Sequence, residues 1–157
     1  MKNKKEKISP QNALDRLMTV CSKSEKSIAE IEQKLTRWNL SDHTTEIITR
    51  LKDENFINEE RFARAFVHDK LKFNKWGKIR LGIILRNHKV TTETIQEVLN
   101  EIDEDNYYDI VSGELQKKQA SLKKLSGYEL KAKLYTFGTQ RGYESDIMHR
   151  YFNEKGL

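Results

Sequence analysis

Apolar residues recur every three or four positions along almost the whole chain, the spacing of a single buried helix face. Nine such stripes can be read. Leu14, Leu17, Met18 and Cys21 form the first, Ile28, Ile31 and Leu35 the second, and Ile47, Ile48 and Leu51 the third. Phe62, Phe66 and Val67 follow, then Ile79, Ile83 and Ile84, then Ile95, Val98, Leu99 and Ile102. Ile110, Val111 and Leu115, then Leu130, Leu134 and Phe137, then Ile147, Met148, Tyr151 and Phe152 complete the series. No stretch alternates with period two in β-branched residues, so no strand is predicted.

Capping signals punctuate the stripes. Ser9-Pro10 starts the first helix with a cap oxygen and a proline at the first helical position. Ser22 with Glu25, and Ser126 with Glu129, have the spacing of capping boxes. Ser41 precedes the third stripe, Thr91 or Thr92 precedes the sixth, and the seventh is expected to start near Asn106. Asn58 is followed by Glu59 and Glu60, carboxylates suited to the first turn.

The order of cap, stripe and break repeats about every fifty residues. Ile31 aligns with Leu81 and Leu134, Leu40 with Val90 and Tyr143, and Ser41 with Thr91 and Glu144. Asn39, Lys89 and Gly142 align at the position where a helix commonly ends on a left-handed residue. That position favours Gly and then Asn, so Lys89 breaks the pattern. The fold expected is all-α, an elongated tandem array of three-helix repeats. Its predicted divisions are a disordered basic leader at 1–8, a leader helix with a first unit at 9–73, a second unit at 74–120 and a truncated third at 121–157.

Composition agrees with many helices and little depth of core. Hydrophobic residues are 36% of the 157, and charged residues are 34%. The net charge of +5 makes nucleic acid or another polyanion a plausible partner class. Its distribution says more. Lys70, Lys72, Lys75, Lys78, Arg80, Arg86 and Lys89 fall between residues 70 and 92 with no carboxylate among them. From 90 to 116 the sign reverses, with eight acidic residues and no Lys or Arg. Interleaved signs would give i, i+4 pairs worth a few tenths of a kcal/mol each, and that gain is absent here. Trp76 and Phe73 lie within the basic run, where aromatics can stack bases or simply pack.

The sequence offers no catalytic constellation. His43, His68, His88 and His149 lack metal-ligand spacing. The glycines form no phosphate loop, and no G-x-S-x-G elbow occurs. Asp103-Glu104-Asp105 lacks the spacing of a calcium loop and reads as a solvated acidic linker. Lone Cys21 rules out an internal disulfide and suits a reducing compartment. The first residues lack a signal-peptide core, and no run approaches the ~20 apolar residues of a membrane span. A cytoplasmic location is expected, with no membrane contact, cofactor or metal.

One stretch carries a family resemblance. Phe56-Ile57-Asn58-Glu59-Glu60-Arg61-Phe62-Ala63-Arg64-Ala65-Phe66, with Trp76-Gly77 and Leu85 beyond it, resembles the signature of the RecX family of recombinase regulators. SEKSIAEIEQKL resembles the family's opening helix and KLYTFGTQRGYESDIM its closing segment. The turn residues Asn39 and Lys89 depart from the family's glycine, and Gly138 replaces an apolar residue. The resemblance implies tandem three-helix repeats that lie in the groove of the RecA–DNA filament across neighbouring protomers. It also implies that the chain modulates recombinase ATPase and strand exchange, with inhibition expected. Direct contact with single- or double-stranded DNA is a further expectation, and the chain is expected to be a monomer. The alternative is a direct DNA-binding protein built from helix-turn-helix-like units. A helical scaffold for some other partner is a third possibility. Candidate partner-binding residues are Arg61, Arg64, Lys70, Lys72, Lys75, Trp76, Lys78, Arg80, Arg86 and Lys89.

Overall fold

A computed structural model describes residues 7–157; the first six residues of the expected basic leader lie outside that range. Among the described residues there are nine α-helices and no strand. They are α1 (Pro10–Lys23), α2 (Ile28–Arg37), α3 (Thr44–Asp53), α4 (Glu59–Asp69), α5 (Lys78–Asn87), α6 (Thr92–Asn100), α7 (Glu104–Ser121), α8 (Gly127–Arg141) and α9 (Ser145–Lys155). A 3₁₀ turn at Ser41–His43 leads into α3, and the chain after α4 widens into a π-type turn at Lys70–Asn74.

Three of the predicted caps form, and Ser41 is not among them: it opens the 3₁₀ turn, and α3 starts after His43 without a side-chain cap bond. Ser9 Oγ accepts from Asn12 N–H, Asn58 Oδ1 from Arg61 N–H and Thr91 Oγ1 from Thr94 N–H. Ser22 does not cap a helix. It lies inside α1, and its hydroxyl donates to Met18 O at 2.7 Å; Ser27 caps α2 instead. Ser126 precedes α8 without a side-chain cap bond. Nor is the acidic cluster a linker. Asp103 caps α7 by accepting from Asn106 N–H, and Glu104 and Asp105 stand in its first turn. There they meet the positive end of the helix dipole.

The repeat appears in the packing. Ile31, Leu81 and Leu134 are fully buried, and Leu40, Val90 and Tyr143 are nearly so. Asn39, Lys89 and Gly142 all have positive φ, at 60°, 63° and 87°. At each, the following residue's N–H bonds back to the helix: Leu40 to Leu35 O, Val90 to Leu85 O and Tyr143 to Gly138 O. Lys89 therefore makes the same turn as its counterparts, with a Cβ penalty of roughly 1–2 kcal/mol.

The phase of the repeat differs from the predicted one. Three cores form: one within α1–α3 and their flanks, one joining Phe62, Ala63 and Val67 of α4 to α5 and α6, and one of α7–α9 that also takes in Leu71 from the turn after α4. So α4 opens the second unit rather than closing the first, and α7 opens the third. Helix α1 packs into the first unit rather than standing apart as a leader, and the third unit has three helices. A period fixes the spacing of helices but not which helix begins a unit. Partner choice fixes that, as when Glu59 of α4 reaches across to Thr91 and Thr94 at the start of α6.

The units join through their second helices. Gly77, before α5, donates its N–H to Arg141 O at the end of α8 (2.7 Å), and Ile79 N–H donates to Gly142 O (3.0 Å). Lys78 N–H donates to the Tyr107 hydroxyl of α7 (3.0 Å), which in turn donates to Glu144. The Tyr143 hydroxyl donates to Lys75 O (2.7 Å). A helix start leaves its first N–H groups without intrahelical partners, and a helix end leaves its last carbonyls so. Here each set satisfies the other.

The same register recurs between the first two units, with side chains in place of backbone. Ser27 before α2 shares a hydrogen bond with His88 after α5 (2.8 Å). Lys89 pairs with Glu32, and Arg61 Nε pairs with Glu25 (2.9 Å). The Arg61 guanidinium also donates to Asn55 O (3.0 Å).

A Cβ built on Gly77 would lie 2.2 Å from Gly142 O. Gly77→Ala should therefore lower stability by about 2–3 kcal/mol in a thermal or urea melt. Gly82→Ala, where the new methyl would meet Leu99 and Ile95 at 3.7 and 3.8 Å, should raise it by about 0.5–1 kcal/mol. Burial pushes the Tyr143 hydroxyl up to about 12, and burial with Glu144 raises Tyr107 as well. Their neutral forms stabilise the fold fully below pH 10, and that contribution is lost as pH rises toward 12. The melting temperature should fall from pH 9 to pH 11.5, and Tyr143→Phe should fall by less.

Candidate functional site

The predicted partner residues separate into groups by what they already touch. Arg61 bridges the first two units. Arg64 holds Glu101 of α6 with two bonds, Nε to Oε2 at 3.0 Å and Nη2 to Oε1 at 2.9 Å, and also meets Glu60. The Glu101 hydrogen bonds and charge raise the Arg64 pKa, and Arg64 lowers that of Glu101. Lys89 is paired with Glu32. These three cations are neutralised within the molecule. They tie helices together, so each already shares its charge with a carboxylate of the fold.

Trp76 is half-buried at the junction with the third unit. Lys70 Nζ lies 5.1 Å and Arg80 Cζ 4.3 Å from its ring centroid, and Phe66 packs 6.3 Å away. Cations so placed gain roughly 0.5–1 kcal/mol from an exposed aromatic ring. A nucleic-acid base could stack on Trp76 only by displacing them. Arg80 also donates to Gln140 O, and Lys78 lies over the Tyr107 ring at 4.9 Å. Lys75 adopts φ 56° and offers its carbonyl to Tyr143. Lys72 and Arg86 are exposed. Among the described residues none of Lys70, Lys72, Lys75, Lys78, Arg80 and Arg86 has a carboxylate within salt-bridge distance, whereas Arg61, Arg64 and Lys89 do. The uncompensated charge is concentrated on α5 and the turn before it.

Periodicity misplaced two residues. Ile79 and Ile83 were expected to share a buried stripe with Ile84, but each is about half exposed. Leu81 and Leu85 fill the core in their place. Ile79, Leu81, Ile83, Ile84 and Leu85 together make too broad an apolar stripe on α5 to show which edge faces inward. The signal lay in the internal alignment, which equates Leu81 with Ile31 and Leu134 and sets Ile79 and Ile83 opposite Ala29 and Gln33. Phe73 is exposed as well, at 71%.

Among the described residues, no group of three or more His, Cys, Asp or Glu is arranged to hold a metal ion. No described helix is long and apolar enough to cross a membrane. The three packed units make this a tandem three-helix repeat protein. Residues 58–99 match the family model for the second three-helix domain of RecX, and residues 104–152 match that for its third. The chain belongs to the RecX family. It is 32% identical over 130 residues to the regulatory protein RecX of Clostridium botulinum (strain Eklund 17B / Type B), covering 79% of this chain and 60% of that one. It is 24% identical over 142 residues to the regulatory protein RecX of Clostridioides difficile (strain 630), covering 90% and 67%. The chain thus spans about three fifths of the length of the first of these relatives. A crystal structure of RecX from Lactobacillus salivarius superposes with a TM-score of 0.81 at 17% identity, covering 92% of this chain and 94% of that one. A second crystal structure, of a regulatory protein RecX, gives 0.83 at 14% identity, covering 91% and 71%. Both show the shared fold.

The matched domains begin at residues 58 and 104, where α4 and α7 open units in the structure. The family signature also becomes physical: Gly77 meets Arg141-Gly142-Tyr143 at the junction of the second and third units, while Trp76 packs on the second core. Arg64→Ala should lower the melting temperature by separating α4 from α6. It should leave affinity for any partner of the α5 surface within about twofold once the temperature is well below the melt.

Proposed function

We propose that the chain is a non-enzymatic regulator that binds RecA–DNA filaments and restrains recombinase ATPase and strand exchange. It acts as a monomer in the cytoplasm. The observation that carries this reading is the patch of uncompensated cations on the second unit, within a family of regulatory proteins. Like charges left unpaired by the fold are stabilised when a partner supplies the opposite sign. Family membership favours a recombinase partner. The cations resting on Trp76 favour a protein surface over stacked bases.

Co-sedimentation with preformed RecA filaments, beside naked single- and double-stranded DNA, tests the proposal. Wild-type chain should pellet with filaments and slow their ATP hydrolysis. Lys72→Glu with Arg86→Glu should weaken filament binding at least tenfold and leave the melting temperature within a few degrees. These two are preferred to Lys78 and Arg80, whose reversal would also disturb the junction with the third unit. Equal, steeply salt-dependent binding to naked DNA and filaments would replace this reading with a direct DNA-binding one.

A further inference from the structure

The three units provide an internal comparison for their second helices. Ile79 and Ile83 stand one turn apart on the outer face of α5, each about half exposed. Helix geometry places Arg86 and Asn87 on the same face one turn further on. The equivalent positions are Ala29 and Gln33 on α2, and Ala132 and Thr136 on α8. The two outer units thus present small or polar groups where the middle unit presents two isoleucines. Neither isoleucine is needed by the second core, which Leu81 and Leu85 fill.

The chain on either side of this pair carries one sign. Lys72, Lys75, Lys78, Arg80 and Arg86 lie on α5 or in the turn leading to it, without a carboxylate between residues 70 and 92. The face also continues beyond α5. A shallow groove is lined by Ala29, Glu32, Gln33, Thr36 and Arg37 of α2 together with Asn87 and Lys89, its one carboxylate, Glu32, being paired with Lys89.

Resting on the proposed regulatory role, we infer that the Ile79–Ile83 face of α5 is the docking centre, and that it takes an acidic protein surface with apolar side chains set among its carboxylates. The isoleucines supply the desolvated middle of the contact, and the cations supply an attractive rim. Protein interfaces have this anatomy, with an apolar centre and a polar border. Nucleic acid would use the rim but would gain little from two aliphatic side chains. Removing the isoleucines therefore separates the two partner classes.

The test is the double variant Ile79→Ala, Ile83→Gln, which gives α5 the residues that α2 carries at those positions. Filament co-sedimentation, naked-DNA binding, the thermal melt and the sedimentation mass are measured for variant and wild type. The variant should keep the wild-type melt and naked-DNA binding and lose at least tenfold in filament affinity. That loss should persist at raised salt, where the Lys72→Glu, Arg86→Glu effect shrinks. Unchanged filament affinity in a folded variant overturns the inference and leaves the regulatory role standing. A wild-type chain that does not bind filaments overturns both. A wild-type dimer that the variant dissolves would assign the face to a second copy and overturn the inference.

Discussion

Backbone meets backbone at Gly77 and Gly142, and the arrangement of the array depends on that approach. α5 has no side-chain cap of its own. The N–H of Gly77 just before it and its own first two N–H groups are satisfied by Arg141 O, the Tyr107 hydroxyl and Gly142 O, all from the third unit. An unpaired buried N–H costs about 1–3 kcal/mol, so α5 cannot start as it does without its neighbour. Gly142 reaches this position through its left-handed turn, and neither it nor Gly77 has room for a Cβ. The helix that carries the uncompensated charge is therefore held in place by the unit beside it.

Much of this could be read in the sequence, and the failures have definite causes. Each of the nine stripes corresponds to a helix, because 3.6-residue periodicity survives in short amphipathic segments. The turn at Lys89 shows that the repeat can be stronger than the residue preference, since Lys89 takes the conformation that glycine holds in the third unit. The unit boundaries were not legible, because helices of one unit and its neighbour present similar stripes. Ser22 and Ser27 both have cap chemistry, and only the extent of α1 separates them. At the candidate surface, charge counting found the right segment of chain. It could not distinguish Arg64, clamped on Glu101 37 positions further along the chain, from Arg86, which faces outward. Such pairings depend on tertiary contact and leave no local trace.

The family signature is a case of the same limit. A tryptophan followed by glycine inside a basic run suggests recognition. In the structure its glycine seals a junction, and its tryptophan supports two cations and packs on Phe66. What distinguishes the second unit is instead a departure from its own repeat, the two outward isoleucines. A repeat protein can be read in this way because each unit is a control for the others.

The two joints of the array differ in stiffness. Between the second and third units the chain is fastened by main-chain hydrogen bonds and buried phenols. Between the first and second it is fastened by Glu25–Arg61, Glu32–Lys89 and Ser27–His88, beside an open cleft of about 380 Å³. Side-chain ties can lengthen, rotate and exchange with water, and salt screens them. A bending load on the two ends would concentrate at the first joint. The molecule is mechanically a pair of units tied through the backbone with a third held by ties that ionic strength can loosen.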